Sequence, residues 1–367
     1  MDSLSQMALG AAVAEASLGR KIGRRAIVLG AAVGTLPDLD VIIQYADAVD
    51  SFTWHRSYSH SLFVLSLLSL PLSQLCRRLV DRAGKASAGR WLLGIWLVLT
   101  THALLDAFTV YGTQLFWPLP VPPVAISSVF IIDPAYTLPL LIGLLLSLCW
   151  RDARGRRANH IGLTLAQLWL LALLALQQVA RHDVIRALNE QGIVPDDMLV
   201  LPLPLGMMWR VLVIDGDDVL ESWVSFADDD KQLRFDRIPR HLDRLGELQS
   251  YPPVERLRWF TRDFVALRES DNFAVLSDLR MGSVTNPVFS FEIAERRGDE
   301  FHPILTRDRL VYVCVPEIIQ LMKRTFNAEP PLPIASLRGK IFSRDGGTSY
   351  DVAADPEQVV CQGLLNY

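Results

Sequence analysis

The sequence predicts an α-helical polytopic membrane bundle, with four clear spans plus two shorter N-terminal helices, followed by a soluble α+β domain. Composition points there first. The 367 residues are 50% hydrophobic and 21% charged, with a mean hydropathy of +0.25, too apolar for an ordinary soluble enzyme and too charged for membrane throughout. Charge is also divided unequally. Residues 1–180 carry 14 Lys+Arg and 10 Asp+Glu, and the remaining 187 carry 22 and 30. Finally, long apolar runs lie only in the first half, whereas the second half alternates apolar and polar residues. The expected organisation is a membrane-embedded helical domain at 1–180, a linker at 181–204 and an extracytoplasmic α+β accessory domain at 205–367.

In chain order, 3–19 and 26–37 are short helical stretches rich in Ala and Gly, a composition that lets helices pack closely in a membrane. Four apolar runs follow, at 61–76, 91–110, 135–150 and 161–180. Each approaches the roughly 20 residues that cross a bilayer. The opening Met1-Asp2 lacks the positive start of a cleavable signal, so these segments are expected to persist. Of the 14 basic residues, all but Arg56 fall in three loops, at 20–25, 77–90 and 151–157. The positive-inside rule puts those loops in the cytoplasm and sends 38–60, 108–134 and the C-terminal half to the far side of the membrane.

On that topology, polar residues that spans normally exclude gather at one membrane face. Asp38 and Asp40 follow the second helix, His55 and His60 precede the 61–76 span, and His102 and Asp106 lie four apart in the outward half of 91–110. A spacing of four stacks two side chains on one helix face. Each feature has a plain reading alone: a turn or cap at Asp38-Leu39-Asp40, an interfacial His55, a hydrogen-bonded His102 and Asp106 pair. Together they place three of the seven histidines beside three carboxylates, the donor set of zinc and related divalent metals, with manganese and iron also suited. A metal with an open position lowers the pKa of its bound water, Asp38 or Asp106 can accept the proton, and Arg56 is either a phosphate-binding cation or an anchor for a lipid headgroup.

The order PDLD, HRxxSHSL and THxxxDxxTxYG, then Phe116-Trp117-Pro118, resembles the YdjM-like inner-membrane-associated metal-dependent hydrolases, as does the opening MDSLSQxALGAAVAEASLG. The resemblance covers residues 1 to about 150. It implies a metal site of Asp38, Asp40, His55, His60, His102 and Asp106, with Thr109 and Tyr111 as supporting or substrate-contacting residues. It also implies a distant similarity to zinc phospholipase C, and so phosphoester hydrolysis. The chain departs from many relatives at Gln6, where they carry a His. A neutral amide is a poorer zinc ligand, so Gln6 either leaves the site one ligand short or contacts substrate or a metal-bound water.

In the second half, WRVLVIDGDD, ESWVSFADDD and 272–294 read as strands, RHLDRLGELQ and PEIIQLMKRTFN as amphipathic helices, and LPLPLG as a Pro-rich linker. LRWFTRDF reads as a strand or helix edge, and WRV, LRWFTR and DLRMG resemble segments of longer relatives. The acidic runs Asp215–Asp218 and Asp228–Asp230 lack the ligand order of a calcium loop and read as solvated turns. Cys314 and Cys361 share the exported half and are candidates for a disulfide, whereas Cys76 and Cys149 belong to the membrane half.

A net charge of −4 offers no broad basic face for nucleic acid. The expected function is an integral membrane metal-dependent hydrolase with a lipid or phosphoester substrate and membrane lipids as partners. The alternative is a non-catalytic binding or assembly protein with a structural His/Asp metal site. A metal-ion transporter fits less well, because the polar residues gather at one end of the bundle instead of lining a path.

Overall fold

The computed structural model describes residues 1–150, 152–226, 233–270, 272–284 and 287–309. The helices are α1 (Ser3–Ala14), α2 (Arg20–Ile22), α3 (Arg25–Gly34), α4 (Ala48–Trp54), α5 (Leu62–Val80), α6 (Ala88–Ala107), α7 (Pro134–Cys149), α8 (Ala153–Glu190) and α9 (Pro252–Thr261). The strands are β1 (Asp197–Pro202), β2 (Met208–Asp215), β3 (Asp218–Ser225), β4 (Asp236–Pro239), β5 (Val265–Glu269), β6 (Phe273–Gly282), β7 (Pro287–Arg297) and β8 (Glu300–Asp308). They form two compact units. One comprises Met1–Tyr45, Asp50–Asp183 and Val200–Gly206, the other Ala46–Val49, Val184–Leu199 and Met207 onward.

The first unit is helical, and α1, α5, α6 and α7 start where the sequence supplies a cap. Asp2 accepts the Ser5 backbone N–H (3.0 Å), and Ser61 and Ser87 do the same for α5 and α6. Asp133 accepts from Ala135 and Tyr136, with Pro134 in the first turn of α7. A π-helical turn, Glu15–Gly19, joins α1 to α2. α1 packs on α3 through glycines: a methyl group on Gly30 would run into the Gly10 carbonyl oxygen, and one on Gly34 would lie 3.1 Å from the Gly10 Cα. Gly30 and Gly34 are the GxxxG spacing that lets membrane helices touch backbone to backbone. A second glycine contact, Gly143 with Gly162, closes α7 onto α8.

Three helices, α5, α6 and α8, are long and apolar enough to cross a membrane among the described residues, not the four expected. The expected span at 135–150 is α7, whose 16 residues reach about 24 Å against a hydrocarbon core of about 30 Å. Its length is fixed by Asp133 at one end and by extended backbone at Trp150 at the other. Leu67, Leu70 and Leu79 on α5, and Ile161, Leu168 and Leu171 on α8, turn large apolar side chains outward. Water penalises such a surface and lipid does not. Arg25 donates to the Val80 carbonyl (3.2 Å) and Arg24 to that of Leu148, so the basic loop at 20–25 meets the ends from which the other two basic loops leave.

The strands form two four-stranded sheets, ordered β1-β2-β3-β4 and β5-β6-β7-β8, and α9 lies in the same C-terminal part of the chain. β2, β3 and β4 pair antiparallel, as do β5 to β8. The expected helix at 240–249 is instead a 3-10 run, Leu242–Ser250, interrupted at Gly246 with φ 51° and ψ −124°. LRWFTRDF forms the end of α9 and the turn after it. The expected linker at 181–204 is occupied by the end of α8 and by β1. Asp215 and Asp218 face each other across the β2–β3 turn and both bind Arg237, so that acidic run pairs with a cation within its own sheet. Asp228–Asp230, the helix expected at 316–327 and the Cys314–Cys361 pair lie outside the described residues.

The short excursion Ala46–Val49 is anchored on β8. Asp47 accepts the Thr306 backbone N–H (3.0 Å) and also binds its hydroxyl, and the Val49 N–H donates to Thr306 Oγ1 (3.0 Å).

Candidate metal centre

Three segments of the helical unit deliver four side chains to one place. Asp38 stands on a 3-10 turn, Pro37–Ile42, that ends the α3 segment, and His60 on another, Tyr58–His60, just before the Ser61 cap of α5. His102 and Asp106 sit one turn apart on α6. One donor atom from each of the four lies within 4.8 Å of every other.

The spacing within the cluster is close and even. His60 Nε2 is 3.1 Å from Asp106 Oδ2, 3.4 Å from Asp38 Oδ1 and 3.2 Å from His102 Nε2. His102 Nε2 is 3.3 Å from Asp38 Oδ1 and 3.6 Å from Asp106 Oδ2. Tetrahedral donors at about 2.0–2.1 Å from a zinc ion stand about 3.3 Å apart, so these separations fit a divalent cation. Three of the side chains, His60, His102 and Asp106, are at most 1% exposed, while that of Asp38 is 23% exposed and forms the accessible side.

Protons argue for a cation independently of distance. His102 Nδ1 lies 2.6 Å from the Gly34 carbonyl oxygen, which can only accept, so Nδ1 carries the proton and Nε2 presents a lone pair. His60 Nδ1 faces Ser59 Oγ at 2.9 Å, and that hydroxyl donates to Asp40 Oδ2. Having given its one proton to the carboxylate, Ser59 accepts from His60 Nδ1, and again Nε2 is left bare. Two lone pairs thus face each other at 3.2 Å between two carboxylates. That arrangement repels itself unless a cation, proton or metal, lies among the four groups.

The titration directions agree. Burial opposes a charge on His60, yet Asp106 and Asp38 outweigh it and raise its pKa. Burial likewise pushes Asp38 up, but hydrogen bonds with His102 and His60 prevail and hold its carboxyl well below the usual range.

Around the four clustered side chains stand residues that fix Asp106 and His60. Gln6 Nε2 donates to Asp106 Oδ1 (2.9 Å), leaving Oδ2 for the cluster, and the Met1 amino group pairs with the same Oδ1. The Gln6 oxygen is buried and has no hydrogen-bond partner among the described residues. Arg56 is buried, with Nε 3.4 Å from Asp106 Oδ2, one terminal nitrogen 3.1 Å from Thr109 Oγ1 and its guanidinium 5.1 Å above the Tyr111 ring. Its φ of 60° is uncommon for a side chain of this size. The turn is held by the Arg56 N–H donating to Asp40 Oδ2 (3.0 Å) and its carbonyl accepting from Gln114 (2.9 Å). Thr109 donates to the Asp106 carbonyl (2.7 Å), and Tyr111 to that of Phe52 (2.6 Å).

The structure therefore gathers Asp38, His60, His102 and Asp106 and sets Asp40 and His55 beside them. Those two form their own pair, His55 Nδ1 to Asp40 Oδ1 at 2.8 Å, and Asp40 Oδ2 is 3.8 Å from His60 Nδ1. Sequence reasoning did not single out Ser59 or the Gly34 carbonyl. For Ser59 the signal was its place directly before His60; a backbone carbonyl leaves none.

A family model described as YdjM inner membrane protein matches residues 1–184. No curated protein and no solved structure matches the chain.

Proposed function

Because the chain belongs to the YdjM inner membrane protein family, we propose that it is an integral inner-membrane metal-dependent hydrolase acting on a phosphoester or lipid substrate. The observation that carries the metal reading is the convergence of one donor atom each from Asp38, His60, His102 and Asp106 within 4.8 Å, with the two Nε2 atoms facing each other 3.2 Å apart. Asp38, His60, His102 and Asp106 would hold the ion, with zinc best matched to two imidazoles and two carboxylates. Bound there, a divalent ion supplies Lewis acidity that brings water deprotonation into the neutral range.

The chain's own residues divide the remaining work. Asp38, the exposed member, is the group placed to take a proton from an attacking water. Arg56 lies beside one Asp106 oxygen, Thr109 holds the Asp106 backbone carbonyl, and Gln6 occupies the other carboxylate oxygen, which together orient the side chain. A headgroup phosphoester at the membrane face would approach from the Asp38 side. The basic loops at 20–25, 77–90 and 151–157 support a cytoplasmic placement for their end of the bundle and an extracytoplasmic one for the site and the β unit.

One observation favours a second reading. Four protein donors complete a tetrahedron, which is the arrangement of structural zinc sites, whereas catalytic sites usually keep one position for water. A binding or assembly protein with a structural ion would look the same at the four ligands.

The first test is elemental analysis of the detergent-purified protein beside a His60→Ala/His102→Ala double variant, followed by hydrolysis assays on bis(p-nitrophenyl) phosphate and phospholipid vesicles. A stoichiometric metal absent from the variant, with metal-dependent turnover, is the expected result. Metal without turnover moves the structural reading to the front, and no metal after loading with divalent ions ends both. Cysteine-accessibility labelling within 111–133 and 207–309 tests the orientation, and cytoplasmic labelling of either would overturn it.

A further inference from the structure

His60 is the one ligand whose proton placement depends on a side chain outside the cluster. We propose that Ser59 is a positioning residue of the metal centre, relaying the charge of Asp40 to His60 so that the imidazole keeps its proton on Nδ1 and its lone pair on the metal side. This deepens the metal-site reading and rests on it for its consequence.

The relay follows from donor and acceptor capacity alone. Asp40 is an acceptor-only group with each oxygen assigned: Oδ1 takes the His55 Nδ1–H (2.8 Å), and Oδ2 takes the Arg56 backbone N–H (3.0 Å) and the Ser59 hydroxyl. Its side chain is 4% exposed, so water does little to loosen these bonds. Ser59 has a single proton, and it points at Asp40. Toward His60 Nδ1, 2.9 Å away, only its lone pairs remain. The imidazole answers with Nδ1–H, and Nε2 is left for Asp38, His102 and Asp106.

Asp40 cannot do this directly. Its nearer oxygen is 3.8 Å from His60 Nδ1, beyond a hydrogen bond, and the hydroxyl fills that interval. His102 achieves the same result with the Gly34 carbonyl, a partner that no side-chain substitution removes. Of the two imidazole ligands, only His60 therefore has a tautomer that a single hydroxyl controls. Carboxylates placed behind metal-binding imidazoles raise affinity by fixing tautomer and ring orientation, and their loss typically costs 10- to 100-fold.

Ser59→Ala and Ser59→Thr in the full-length, detergent-purified chain separate this role from simple packing. Co²⁺ is the probe, since its visible absorption reports the donor geometry. Ser59→Ala is expected to weaken Co²⁺ binding about 10- to 100-fold and to alter the band, while Ser59→Thr, which keeps the hydroxyl, restores both. Equal affinity and an unchanged spectrum in Ser59→Ala would overturn the proposal.

A second measurement does not need the ion. In metal-free protein labelled with 15N-histidine at alkaline pH, His60 should be protonated on Nδ1 in wild type and Ser59→Thr, and redistributed toward Nε2 in Ser59→Ala. A His60 tautomer indifferent to Ser59→Ala sinks the relay. Failure of wild type to bind Co²⁺ sinks the metal reading, and the tautomer result still decides the role of Ser59.

Discussion

The carbonyl oxygen of Gly34 lies 2.6 Å from Nδ1 of His102 and holds that imidazole with Nε2 turned toward Asp38 and His60. Its position is a product of helix packing, because Gly34 and Gly30 are the residues through which α3 presses on α1. A glycine pair that allows close approach thereby orients an imidazole on α6, three helices on in sequence.

Gly30→Ala tests that link. The added methyl would collide with the Gly10 carbonyl and the Ala14 side chain, forcing α1 and α3 apart. Overpacking of this kind costs about 1–3 kcal/mol. A lower melting temperature in detergent and weaker metal retention are expected together; loss of stability with unchanged metal affinity would separate packing from the site.

Metal binding should weaken in acid, and the direction follows from His60. Its raised pKa means that the metal-free fold gains stability from the His60 proton below the ordinary histidine range and loses that gain as pH rises through the raised value. An ion must displace that proton. Apparent affinity should therefore fall about tenfold per pH unit below the His60 pKa, while Asp38, held low, stays ionised. The thermal shift produced by added Zn²⁺, measured from about pH 5 to about pH 8, should grow toward the alkaline end. A flat profile would exclude His60 as a ligand.

Arg56→Lys is expected to fail as a conservative change. One guanidinium spans Asp106, Thr109 and the Tyr111 ring, and an ammonium cannot meet all three. Removing a partner from a buried ion pair costs about 3–5 kcal/mol, and Lys recovers only part of it. Chemical denaturation of the metal-free protein reads the loss, and wild-type stability in Arg56→Lys would contradict the assignment.

Gln6→Leu should lower metal affinity about tenfold without abolishing binding, because the amide supports Asp106 and is not one of the four donors. Gln6→His should retain an ion. Loss of all metal from Gln6→Leu would instead make the amide a ligand.

Much of the helical half was legible in the sequence, because apolar runs and polar exceptions both report on a membrane. The convergence of Asp38, His60, His102 and Asp106 followed from three basic loops and a four-residue spacing on α6. Length was harder. α7 looked like a span, but Asp133 and Trp150 stop it at 16 residues, and capping decides such limits more than hydropathy. Asp40 and His55 pair with each other beside the four-donor group, and the left-handed turn at Arg56 next to them is a backbone feature with no sequence mark. In the second half, alternation identified β2, β3, β6 and β7, while Gly246 broke the stretch expected as a helix into 3-10 turns.

The anchoring of Ala46–Val49 on Thr306 has a bearing on how the chain is made. Asp47 leaves the ribosome some 259 residues before the amide it accepts from, so the stretch between Asp40 and His55 waits for nearly the whole described chain before it is fastened. Truncation after residue 184, where the family match stops, would keep Asp38, His60, His102 and Asp106 yet discard Thr306, the partner that Asp47 and the Val49 amide hold.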